Sequence, residues 1–186
     1  HVLDAILGTC QAEACKVIGG GPLVRWITEE KRCIWLDEPG YDLNSSLWES
    51  MRMSFNQGSR AILFLPADLP KATTKGVSQV IVDSWNLSRP VGVPALNDGG
   101  TNALLLPKAI SFPPQLGTLS YLRHSQEIDI RGMKIVDVDA PDLTFDVDTP
   151  WDLRWAENHV EGFAAGVERW ERWIKKNSHV SAIPCK

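Results

Sequence analysis

Three segments of the chain carry side chains suited to holding a divalent cation together with a phosphorylated ligand. In order they are Ala67-Asp68-Leu69-Pro70, Asp98-Gly99-Gly100-Thr101-Asn102 and Asp146-Val147-Asp148-Thr149-Pro150. Mg²⁺ prefers hard oxygen ligands, keeps several waters, and often relies on one or two carboxylates plus substrate phosphates. Asp68 follows an apolar run and precedes Pro70, which stiffens the local backbone. Asp148 precedes Thr149-Pro150, where Pro suits a first helical turn. Asp146 and Asp148 flank Val147 and in extended backbone point the same way. Each aspartate also has an ordinary reading. Asp68 could cap the helix after Pro70, Asp148 or Thr149 could be an N-cap, and Asp152 could be a favourable charge in a first turn.

The glycine segment supplies the complementary part. Gly99-Gly100 permits positive φ and close backbone approach to an anion, while Thr101 and Asn102 add polar groups. Gly117-Thr118-Leu119-Ser120 reads as a helix start, whose free amides and dipole attract phosphate or carboxylate. His124 lies one turn past Ser120 and could contact the same ligand. A ligand-free turn, ordinary capping, and a solvated or core-satisfied histidine are the plain alternatives. Trp151/Trp155 and Trp170/Trp173 fall at helical spacing and read as packing residues, and Lys175-Lys176 as a solvated helix end. No convincing Ser/His/Asp or Cys/His triad is found.

The elements needed to position these groups are legible as periodicities. Val2 to Leu7 has helical spacing, and Cys15 to Ile18 is a short apolar run stopped by Gly19-Gly20-Gly21. Pro22 opens a helix with Leu23, Trp26 and Ile27 on one face, and Ile34-Trp35-Leu36 is another short strand. Leu43, Leu47, Met51 and Phe55 recur every four residues, with Asp42 as N-cap and Gly58 beyond the end. Ala61 to Leu65 predicts a strand buried on both faces. A helix marked by Val77, Val80, Ile81 and Trp85 follows. Strands at Val91 to Val93 and Ala103 to Leu106 flank the glycine loop. A helix near Leu119 to Ser125, strands near Lys134 to Val136 and Thr144 to Val147, and two C-terminal helices within 151–186 complete the chain. This alternation predicts an α/β fold with a mostly parallel sheet flanked by helices, in a single domain over 1–186. Ligands of such sheets gather beyond the strand carboxyl ends, where Asp68 falls.

Composition sets the outer limits. The chain has 186 residues, 44% of them hydrophobic and 23% charged, as in ordinary globular domains. A net charge of −4 argues against non-specific nucleic-acid binding, which needs Lys and Arg to neutralise phosphates. No stretch approaches the roughly 20 apolar residues of a membrane helix. Cys10, Cys15, Cys33 and Cys185 form no C-x-x-C pair and read as reduced thiols of a cytoplasmic protein. A homo-oligomer is compatible with all of this.

Together the motifs resemble the 2-phospho-L-lactate guanylyltransferases, a family that includes phosphoenolpyruvate-specific members. The resemblance runs through Ala67-Asp68-Leu69-Pro70, Gly99-Gly100-Thr101-Asn102-Ala103-Leu104, Leu116-Gly117 with Ser120 and His124, and Asp146-Val147-Asp148-Thr149-Pro150 with Asp152-Leu153. Leu43-Asn44 before a helix looks like a further shared element. The resemblance implies a nucleotide-diphospho-sugar-transferase-like, Rossmann-like fold. It also implies a GTP-dependent transfer to a small phosphorylated acid, within biosynthesis of the deazaflavin coenzyme F420. Asp68 and Asp148 would match the Mg²⁺-binding, catalytic carboxylates, with Asp146 a further metal candidate. Gly100, Thr101, Asn102, Gly117, Ser120 and His124 would serve substrate binding. Leu116, Lys71 and Trp151 depart from the family's usual residues. The family's first strand and its Lys/Arg nucleotide loop are not recognised before the opening helix. The expectation is therefore an amino-terminal truncation or a loss of nucleotide binding. Another nucleotidyltransferase of molybdopterin, sugar or cytidylyl type, or a non-catalytic binding or assembly homologue, are the alternative readings.

Overall fold

A computed structural model describes residues 1–38 and 40–176. Cys185 and the last part of the predicted C-terminal helical region lie outside them. The order is α1 (Val2–Gly8), β1 (Lys16–Ile18), α2 (Pro22–Glu30), β2 (Ile34–Leu36), α3 (Leu43–Asn56), β3 (Ala61–Phe64) and α4 (Thr74–Asp83), followed by the β4 (Val91–Pro94) and β5 (Thr101–Pro107) pair. Next come α5 (Ser120–Ile130), β6 (Val136–Asp137), α6 (Pro150–His159) and α7 (Phe163–Lys176). Strands β1 and β2 pair in parallel, and a second sheet has the order β3-β5-β4-β6.

The α/β class stands, with one strand reversed. β4 and β6 run parallel, whereas β5 is antiparallel to both β3 and β4. The reversal follows from the glycine loop: a connection this short joins β4 to β5 as a hairpin, since a parallel partner needs a long crossover. β5 is the central strand in burial. All seven of its positions are buried, while β3, hydrogen-bonded on one side to β5, is only half-buried along its length. The expectation of two-sided burial for the Ala61 run is therefore corrected, and β5 takes that role.

Alternate β5 residues feed two cores. Ala103 and Leu105 pack with Val2, Ala5, Val77 and Val80 under α1 and α4. Leu104 and Leu106 pack with Leu47, Met51, Phe55 and Ile128 under α3 and α5. α3 has the bounds and cap that its periodicity implies: Asp42 accepts from the Ser45 amide at 2.7 Å and forms a capping box with it. α5 runs longer than expected. The expected strand at Thr144 to Val147 does not form; this stretch is extended coil after a 3₁₀ turn at Pro141–Leu143. The tryptophans pack much as expected: Trp155 lies 4.6 Å from Phe145, and Trp173 stacks on Trp26 at 4.7 Å. Trp151 differs and stays 63% exposed.

Leu106 is fully buried at the junction of β5 with α3. Leu106→Ala should cost about 2–5 kcal/mol through lost transfer energy and the cavity left behind. Urea denaturation should show a lower midpoint at unchanged m-value.

Candidate active site

The ordinary roles of the two outer aspartates are taken by other residues. Thr73, not Asp68, caps α4, its hydroxyl accepting from the Gly76 amide at 3.1 Å. Thr149, not Asp148, caps α6. Its hydroxyl accepts from the Asp152 amide at 3.2 Å, while Asp152 Oδ2 accepts the Thr149 amide at 2.8 Å. Asp68, Asp146 and Asp148 take part in no ion pair among the described residues. They are drawn together by backbone contact, the Val147 amide donating to the Asp68 carbonyl at 3.0 Å.

Their electrostatics reflect that crowding. Partial removal from water, followed by the charges of Asp146 and Asp148, holds the Asp68 carboxyl above the ordinary aspartate range, although its side chain reaches the surface. Burial and then the charge of Asp148 do the same to Asp146, with Asp98 adding a smaller push. Asp146 Oδ1 and Asn102 Nδ2 are both buried without a hydrogen bond of ordinary length, although the Asn102 side chain eases the Asp146 charge and lowers its pKa against these upward pushes. Such groups normally find partners, so an oxygen left this way is suited to a cation. Among the described residues no three His, Cys, Asp or Glu side chains already stand as a metal-holding group. One or two carboxylates would be enough only for a cation that, like Mg²⁺, keeps waters and shares substrate oxygens.

The second half of the site hangs on a β-bulge. The register of β4 against β5 shifts between Val93 and Pro94, so Val93 faces Ala103 while Pro94 faces Thr101. Plain alternation would send Thr101 to the same side as Ala103 and Leu105, toward α1 and α4. The bulge re-aims it, and Thr101 Oγ1 meets Ser120 Oγ and His124 Nδ1 of α5, each at 2.9 Å. The glycine turn serves the same end. Gly99 has φ +68°, and a Cβ on Gly100 would sit 2.7 Å from Asp98 Oδ1, which accepts the Gly100 amide at 2.6 Å.

The helix start differs from expectation. The Leu119, Ser120 and Tyr121 amides are consumed by the carbonyls of Asp98, Gly117 and Gly99. Free amides lie just before the helix instead, at Gly117 and Thr118, which donate to no acceptor among the described residues. Gly117, at φ +114°, turns the chain there. Three anchors fix this loop: Asn44 Oδ1 accepts the Leu116 amide at 2.7 Å, His124 Nε2 accepts the Gln115 amide at 2.9 Å, and Arg123 donates to the Gln115 and Thr118 carbonyls. His124 is therefore not turned toward a ligand. It is fully buried behind Thr101, and both ring nitrogens are engaged. Burial, with Arg123 beside it, pushes it down to about 4, against a smaller opposing effect of Glu127. Arg123 was not singled out from sequence; a cation three residues after Ser120, in a first turn where it gains nothing from the helix dipole, was the available signal.

Comparison with known proteins bears on this arrangement. The family model described as "Guanylyl transferase CofC like" matches residues 23–166, which contain every site residue named above. Phosphoenolpyruvate guanylyltransferase of Sphaerobacter thermophilus is 28% identical over 168 residues, covering 90% of this chain and 81% of that protein. 2-phospho-L-lactate guanylyltransferase of Methanothermobacter thermautotrophicus is 35% identical over 129 residues, covering 68% of this chain and 56% of its own length. A solved structure of a putative nucleotide-diphospho-sugar transferase from Desulfovibrio desulfuricans superposes with a TM-score of 0.66 at 18% identity, over 95% of this chain and 83% of that one, and so shares its fold. With its α/β layers, its paired aspartate motifs and its glycine hairpin in the matched region, this chain belongs to the CofC-like guanylyl transferase family of nucleotidyltransferase enzymes.

Proposed function

We propose that the chain joins GMP from GTP to a small phosphorylated acid, phosphoenolpyruvate or 2-phospho-L-lactate, in the biosynthesis of coenzyme F420. A phosphate oxygen of the acid attacks the α-phosphorus of GTP, and pyrophosphate leaves. The observation that carries the reading is the placement of an uncompensated carboxylate set, Asp68, Asp146 and Asp148, beside Asn102, with the donors of Thr101, Ser120, Gly117 and Thr118 on neighbouring elements.

Asp68 and Asp148 would hold Mg²⁺, with the orphaned Asp146 Oδ1 a further ligand. When bound, Mg²⁺ supplies charge neutralisation at phosphate oxygens, which lowers the repulsion between two anionic reactants. The chain's own contribution is positioning. The Gly117 and Thr118 amides and the Thr101 hydroxyl, backed by the buried Ser120 hydroxyl, take the acceptor's phosphate or carboxylate and restrict it to one approach. No covalent enzyme nucleophile is required.

Asp68→Asn and Asp148→Asn should each lower Mg²⁺-dependent pyrophosphate release from GTP and phosphoenolpyruvate by roughly a hundredfold or more, with far-UV circular dichroism unchanged. Wild-type rates in both variants would contradict the assignment. A second expectation concerns stability. Because folding raises the Asp146 pKa, its contribution favours the fold in acid and is lost as pH rises through the folded value. Asp146→Asn should therefore raise Tm near pH 7, with the gain shrinking toward about pH 4. Saturating Mg²⁺ should raise the wild-type Tm more than that of this variant. Thermal melts at the two pH values, with and without Mg²⁺, check both expectations.

A further inference from the structure

The proton positions around Thr101 follow from the partners of His124. A backbone amide can only donate, so Nε2, which faces the Gln115 amide at 2.9 Å, must be bare. A neutral ring then carries its proton on Nδ1, where it donates to Thr101 Oγ1 at 2.9 Å. Burial, helped by Arg123 and opposed by the smaller effect of Glu127, keeps the ring neutral, and Phe112 packs against it at 5.9 Å. Thr101 Oγ1 and Ser120 Oγ share one further hydrogen bond at 2.9 Å. The three groups hold one proton each, and the two bonds among them use one proton apiece. One hydroxyl proton therefore remains to donate outward. The opposite tautomer would leave none, because Nδ1 would absorb the Thr101 proton and Thr101 would absorb that of Ser120. Of the three residues Thr101 alone keeps measurable exposure, at 7%, while Ser120 and His124 have none.

We infer that His124 is a positioning residue for the acceptor subsite: held as the Nδ1–H tautomer, it makes Thr101 a donor to the acceptor's phosphate or carboxylate, and through Nε2 it locks the Gln115–Thr118 loop beside it. It touches no substrate. The inference rests on the acceptor-site reading above, and supplies the reason a neutral histidine is buried behind two hydroxyls.

Two-dimensional ¹H–¹⁵N spectra optimised for imidazole couplings, recorded on the wild-type chain without ligand, read the tautomer directly. The expected result is a neutral His124 protonated on Nδ1. A proton on Nε2 overturns the inference while leaving the guanylyl-transfer reading in place. Variants then separate the two ends of the ring. His124→Gln places an amide oxygen near the Nε2 position and forfeits the donor to Thr101; His124→Asn places its amide near the Nδ1 position and retains one. Calorimetry with phosphoenolpyruvate and Mg²⁺ should show roughly tenfold or greater weakening in H124Q, as expected for a hydrogen bond to a charged group, and partial rescue in H124N, which restores the donor to Thr101 but not the Nε2 contact to the Gln115 amide. Equal affinity in wild type and H124Q, with both folded by circular dichroism, overturns the positioning role. A wild-type chain that carries the Nδ1–H tautomer yet binds neither phosphoenolpyruvate nor 2-phospho-L-lactate overturns the acceptor-site reading, and the positioning role with it.

Discussion

The two-sided hydrogen bonding of β5 constrains everything around it. β5 is paired to β3 on one flank and β4 on the other, and all seven of its side chains are buried. A strand held this way has no freedom to slide, because a one-residue slip would exchange the faces of Ala103 and Leu105 with those of Leu104 and Leu106. The one place where the ladder departs from strict pairing, between Val93 and Pro94, therefore has a large effect. It turns Thr101 out of the α1/α4 core and onto α5, where Ser120 and His124 meet it. A rigid strand carrying one built-in irregularity gives a polar side chain a defined direction at modest cost.

The acidic half of the site is organised by what its neighbours do instead. Threonines cap α4 and α6, and Asp152 completes a capping box with Thr149. Asp142 tethers Thr73, accepting its amide at 3.1 Å. Local backbone demands are met by these residues, so Asp68 and Asp148 are not used in caps. Asp146 is left with a buried oxygen lacking a partner. Charges of one sign held close together oppose folding, and such a cost persists where a bound cation offsets it.

Sequence-distant residues share the work on the donor half. Asn44 lies at the start of α3, yet its side chain fixes the amide of Leu116, 72 residues away. His124 and Arg123 fix the same loop from α5. The free amides of Gly117 and Thr118 are thus presented by a loop anchored at three points, which would limit reorganisation if an anion bound there. Relatives named for two different acceptor acids share this family.

Periodicity was sufficient for the helices and for the existence of most strands, because apolar spacing at 3.6 or 2 residues reports directly on which face is buried. The bounds of α3 and its Asp42 cap were readable in this way. The aspartates and glycines of the candidate site stand out as motifs, although each residue type also serves turns and caps. Direction and partnership were not readable. The reversal of β5 was implicit in the short glycine connection, but the bulge that aims Thr101 is a register event between two strands and leaves no local periodicity. His124 could be read as ligand-facing or as core-satisfied, because spacing along α5 shows which residues share a face with Ser120, without showing what covers that face. Whether a histidine meets solvent, substrate or a backbone amide is settled by contacts between residues far apart in the chain, and those exist only once the strands and helices have packed.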